Sequence, residues 1–154
     1  MVTSFKTFFK RYLANSPKCR DEVSEHSLQL ATAALLVEMM RADAEITDKE
    51  RGAVMKTVMN RFHLTEGESK DIIHLAEEKV SKSTGYYEFT SLINKGYGYG
   101  QKVKVIENLW EIAFTDKSLD KYEEHMVRKV ADLIYVEHKD FIEAKLRIKK
   151  KLGL

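Results

Sequence analysis

An all-α fold of about eight helices is what the sequence predicts, on three observations. Ala, Leu, Glu, Lys and Met dominate its periodic stretches, and 154 residues contain one proline and seven glycines, so few positions resist a helix. Apolar residues recur three and four apart, the period of one helical face, and no alternating strand pattern competes. Helix-start signals, in which Thr or Asp is followed three residues later by Glu, precede three of the stripes.

Phe5, Phe8, Phe9, Tyr12 and Leu13 form the first stripe and predict an amphipathic helix over residues 2–13, stopped by Asn15-Ser16-Pro17. A second helix runs from about Glu25 to Arg41. The third begins at Thr47, whose hydroxyl can cap the helix while Glu50 returns the bond, and buries Val54, Val58 and Phe62. Another such box, Thr65-Glu-Gly-Glu68, starts the fourth, which carries Ile72, Leu75, Ala76 and Val80 to the turn at Ser83 to Gly85. A short helix from Tyr86 to about Lys95 and an aromatic loop, Gly96-Tyr-Gly-Tyr-Gly100, follow. The last three helices span about Gln101 to Phe114, Asp120 to Ile134 and Lys139 to Leu152.

An internal repeat organises these elements. Asp43-Ala-Glu-Ile46-Thr-Asp-Lys-Glu50 returns 73 positions later as Asp116-Lys-Ser-Leu119-Asp-Lys-Tyr-Glu123. The same shift aligns Glu38 with Glu111, Val54 with Val127 and Lys56 with Lys129, and lays the fourth helix on the eighth. Two related halves of three or four helices, about 25–80 and 98–152, therefore pack in one pseudo-symmetric bundle, a single domain over residues 1–154. A chain of this length with 44% hydrophobic residues buries roughly two thirds of its unfolded surface.

Composition narrows the function. Cys19 is the one cysteine, which excludes an intramolecular disulfide or a thiolate metal cluster. The N-terminus lacks a signal-peptide core, and the apolar run around Ala33 to Val37 ends at Glu38, far short of a bilayer span, so a cytoplasmic protein is expected. The net charge of +2 conceals basic ends around an acidic body. Residues 1–20 hold five bases and no acid, residues 139–154 six bases and two acids, and the middle 15 bases and 22 acids. Peripheral contact with an anionic membrane through the basic termini fits that pattern, as does simple packing of the first helix on its own bundle. Nucleic acid is not expected, because the middle is acidic and no DNA-binding motif is present.

The repeated acidic turns carry the sharpest chemical signal. Capping accounts for Glu50 after Thr47 and for Glu123 after Asp120. It does not account for Asp43 and Asp116, since the third box, at Thr65, has Arg61 at the corresponding place. An Asp leaving one helix and a Glu opening the next can point into one turn, so Asp43, Glu50, Asp116 and Glu123 are candidate ligands for calcium, magnesium or manganese. Ile46 and Leu119 anchor their turns to the core. Glu38 and Glu111 interrupt apolar runs, Leu35-Leu-Val-Glu38-Met-Met and Leu109-Trp-Glu111-Ile-Ala-Phe, and either face solvent or need a partner.

These residues resemble the TerB domain of tellurite-resistance proteins and of certain membrane-anchored J-domain co-chaperones. The resemblance covers about Leu30 to Leu152. It rests on Ala42-Asp43, Phe89-Thr-Ser-Leu-Ile-Asn94, Leu109-Trp-Glu111, Asp120-Lys-Tyr-Glu-Glu124, Ala131-Asp-Leu-Ile134 and Asp140-Phe-Ile-Glu-Ala-Lys145. It implies an all-α fold, metal binding by the acidic repeats and a link to stress response or membrane-associated complexes, without an established reaction. Ala44 and Lys117 stand where the family usually has Gly after the Asp.

No enzyme motif competes with that reading. The five histidines form no His-Glu-x-x-His pair, and Asp71-Ile-Ile-His74 is a single i, i+3 pair where a di-iron bundle uses two. The glycine-rich loop lacks the Lys-Ser/Thr of a phosphate loop. The expectation is a non-enzymatic stress-response module that binds a divalent cation and recruits protein partners; the alternative is a metal-free interaction scaffold, with the membrane surface as one place for it.

Overall fold

Helix α1 (Glu25–Arg41) is apolar on every face, which dictates a central position. The computed structural model describes residues 24–41, 48–83, 85–115 and 121–154, and every described element is helical. After α1 come α2 (Asp48–Phe62), α3 (Glu66–Lys82), α4 (Tyr87–Gly96), α5 (Tyr99–Ala113), α6 (Lys121–Leu133) and α7 (His138–Lys151). The helix expected over residues 2–13 lies outside the described residues. The other seven match the predicted elements with ends displaced by two residues at most.

Helices α2, α3, α4 and α5 all pack against α1, which removes Leu35, Leu36, Met39 and Met40 from water. Each such side chain contributes roughly 1.5–3 kcal/mol of burial. One hydrophobic core takes residues from all seven helices. Met39 and Met40 lie within it, as expected of methionines in a helical bundle, whereas Met55 and Met59 are only partly buried.

The sequence repeat is a repeat in space. In the first half α1 packs on α2 and α3; in the second α5 packs on α6 and α7, and the two leading helices pack on each other. Helices α2 and α6 begin 73 residues apart, and the buried residues Glu50, Val54, Thr57 and Val58 recur as Glu123, Val127, Val130 and Ala131. Beyond that point the shift is 72, not 73: α3 begins at Glu66 and α7 at His138. The stretch through the end of α6 is one residue shorter than its counterpart at the end of α2. Both helices still end alike, with a left-handed residue, His63 (φ 55°) or Tyr135 (φ 61°), and a backbone bond spanning five residues, Leu64 N to Met59 O at 3.2 Å and Val136 N to Ala131 O at 2.9 Å. Neither residue is glycine, so each turn carries strain of about 1 kcal/mol that the surrounding packing offsets.

The aromatic loop is shorter than predicted. Gly96 closes α4 and Tyr99 opens α5, leaving Tyr97 and Gly98 between them. Gly96 lets α4 seat closely on α1, since a Cβ there would lie 2.7 Å from the Leu28 side chain, which would have to shift. Helix α7 has no side-chain cap of its own. The Tyr99 hydroxyl serves its first turn from α5, accepting from Glu137 N at 3.1 Å and donating to Asp140. The bond to Asp140 raises the Tyr99 pKa above the ordinary phenol value.

Candidate functional site

Glu50 and Glu123 stand at the third positions of α2 and α6, where a capping glutamate belongs. The third box shows what capping alone looks like. Thr65 Oγ1 accepts from Glu68 N at 3.1 Å, Thr65 N donates to Glu68 Oε1 at 3.0 Å, and the Glu68 side chain remains partly exposed. Glu50 and Glu123 are instead only 2% and 6% exposed. Burying a carboxylate requires compensating polar contacts, and the partial positive charge of a helix N-terminus supplies only part of that.

Their proposed companions, Asp43 and Asp116, lie outside the described residues, as do the anchors Ile46 and Leu119 and the caps Thr47 and Asp120. Among the described residues no three His, Cys, Asp or Glu side chains form a group that could hold a metal ion. The two buried carboxylates have the hard oxygen donors that calcium, magnesium or manganese take, but a complete donor set needs the aspartates as well.

Glu38 and Glu111 are both partly buried and face different partners. Burial raises the pKa of Glu38, and the charge of Arg41 opposes this. The Glu38 charge in turn adds to the burial that raises the pKa of Tyr86, whose ring carries Lys129 Nζ at 5.5 Å from its centre. Glu111 accepts from Lys151 Nζ at 3.1 Å, and Glu107 lies 3.7 Å from Arg147 Nε. These ties join α5 to α7, as does Trp110, which is fully buried, donates to Phe141 O at 3.3 Å and packs on the Phe141 ring. The Leu109-Trp-Glu111 motif thus holds two helices of the second half together. Asp71 is buried while His74 is exposed and pairs with Glu78 at 3.3 Å, so the two do not act as a ligand pair and His74 is an ordinary helix-surface histidine.

A cleft of about 850 Å³ opens between α2 and α5. Gln29 of α1 lines it, with Lys56, Thr57 and Arg61 from α2, Lys104 and Asn108 from α5, and the C-terminal end of the chain. Its traces in the sequence are the amides of Gln29 and Asn108 within apolar stripes. Such residues are common on half-exposed helix faces, so no motif marks the cleft.

The described helices contain no segment long and apolar enough to cross a membrane. No curated protein matches the chain. Among solved structures, a protein of unknown function from Porphyromonas gingivalis W83 is similar, with 18% identity over 80% of this chain and 95% of that one and a TM-score of 0.60. At that identity the likeness shows the fold alone. The family model for tellurite resistance protein TerB matches residues 29–146, which span α1 from its fifth residue to the middle of α7. The chain belongs to the TerB family.

Proposed function

We propose that this protein is a non-enzymatic, cytoplasmic stress-response module of the tellurite-resistance type that binds a divalent cation through Asp43, Glu50, Asp116 and Glu123 and recruits protein partners. One observation supports the cation most directly: Glu50 and Glu123 are buried at equivalent positions of the two repeats, whereas Glu68, which only caps, is not. A hard cation bound by carboxylates is one arrangement that compensates such burial. The partner reading draws on three tyrosines, Tyr87, Tyr122 and Tyr135, which are 76%, 74% and 74% exposed on or beside α4 and α6. Tyrosine is enriched at protein interfaces because its ring buries area and its hydroxyl tolerates water.

Calorimetry of the whole chain with calcium, magnesium and manganese tests the cation. Binding heat and a thermal shift are expected for the natural chain, and both should be lost in Asp43→Asn/Asp116→Asn. The absence of heat and of any shift with all three ions would refute it and leave the metal-free interaction scaffold. That scaffold, with peripheral membrane contact through the basic termini, would show as co-sedimentation with anionic vesicles that is independent of added metal.

A further inference from the structure

The halves of the repeat differ in what fills one groove. Helix α4 packs against both α1 and α6. Exchanging the halves turns α1 into α5 and α6 into α2, so the groove under α4 has its counterpart in the α2–α5 cleft. The groove under α4 is apolar; its counterpart is not. Along α5 the cleft presents Gln101, Lys104, Glu107 and Asn108, where α1, 73 residues earlier, has Leu28, Ala31, Ala34 and Leu35.

Three polar atoms at the cleft are buried without a hydrogen-bond partner among the described residues: Gln29 Oε1, Asn108 Oδ1 and Arg61 Nε. Gln29 is itself only 6% exposed, so its oxygen cannot simply turn to bulk solvent. Buried polar groups of this kind cost stability unless something occupies the space beside them. Two are acceptors, which take an O–H or N–H hydrogen, and one is a guanidinium N–H, which any acceptor satisfies and an anion satisfies most strongly.

Charge adds the rest. The carboxylates of Glu107 and Glu111 are engaged by Arg147 and Lys151. Lys56, Arg61 and Lys104 have no ion-pair partner among the described residues; of the side-chain carboxylates lining the cleft only Glu25 then stands against these three cations, together with the main-chain carboxylate of Leu154. Arg61 is positioned by its own neighbours, with its guanidinium over the rings of Phe62 and Tyr97 at 5.7 and 5.5 Å and Nη2 3.4 Å from the Gln101 carbonyl. A fixed guanidinium with two lysines suits a dianion better than a single carboxylate. The cleft volume falls within the range of small-molecule sites.

We propose that the α2–α5 cleft binds a small phosphorylated sugar, with the phosphate at Arg61, Lys56 and Lys104 and the hydroxyls donating to Gln29 and Asn108. Titration of the isotope-labelled full chain with ribose 5-phosphate, followed by NMR, tests this. Saturable shifts are expected for the side-chain amides of Gln29 and Asn108 and for Arg61 Nε–H, with weaker binding of ribose and of inorganic phosphate. Lys56→Met/Lys104→Met, at two exposed sites, should weaken ribose 5-phosphate binding by tenfold or more. Asn108→Leu, which installs the residue type of the other half, should weaken ribose and ribose 5-phosphate alike. Unchanged cleft resonances at millimolar ribose 5-phosphate would overturn the proposal and leave ordered water as the partner of the three atoms. Equal binding of inorganic phosphate, or binding unaffected by both variants, would overturn it too.

Discussion

Helices α1 and α5 occupy equivalent places in the two halves, yet they do different work. Every face of α1 is covered, and of its 17 residues only a few at the ends and Glu38 escape full burial. Helix α5 is buried along one side, at Val105, Ile106, Leu109 and Trp110, and exposes its other side to the cleft. The difference follows from α4, which covers α1 and has no described counterpart on α5. A duplicated unit can thus keep its backbone geometry while one copy becomes the structural hub and the other retains a polar face.

The largest test of that division substitutes one pair of equivalent positions. Leu35 is fully buried, and Leu35→Ala should destabilise the fold by about 2–5 kcal/mol. Asn108 stands at the same place in α5, and Asn108→Ala should cost less than about 1 kcal/mol, because it removes an unpartnered oxygen rather than core volume. Chemical denaturation of both variants checks the contrast; equal losses would break it.

A smaller effect probes how closely α4 seats on α1. Gly96→Ala should destabilise by about 1 kcal/mol, the clash with Leu28 outweighing the better helix propensity of alanine. In a Leu28→Ala background the penalty should vanish or reverse, which a double-mutant cycle measures directly.

The smallest effect concerns pH. The pKa of Glu38 is raised by burial, so the folded protein holds that proton more tightly than the unfolded chain does. Its contribution is favourable below the unfolded carboxylate pKa and is lost as pH rises through the raised folded value. Glu38→Gln should therefore be more stable than the natural chain at neutral pH, with the difference disappearing under acid conditions. Thermal melts at several pH values would show it; a difference independent of pH would assign the effect to packing instead.

Much of this architecture was legible because it rests on local chemistry. The Thr65 box, the 73-residue recurrence of Glu50 as Glu123 and the apolar run of α1 are each carried by neighbouring residues, and all have structural counterparts. The change of shift to 72 was hidden, because a one-residue difference within a helical turn leaves the apolar spacing on both sides intact. So was the cleft, whose lining comes from α1, α2, α5 and the C-terminal end, and whose character depends on what α4 covers elsewhere. The candidate cation ligands were legible as a pattern; the fold adds the burial of two of them, Glu50 and Glu123.

The covering of α1 also bears on biosynthesis. A ribosome releases α1 near the start of the described chain, but α5, one of its partners, begins 74 residues after it does. Until then a helix apolar on every face lacks part of its shelter, and nascent chains with exposed apolar surface are prone to association. The same helix that organises the finished bundle is its point of greatest exposure during synthesis, so the order of the halves along the chain sets how long that exposure lasts.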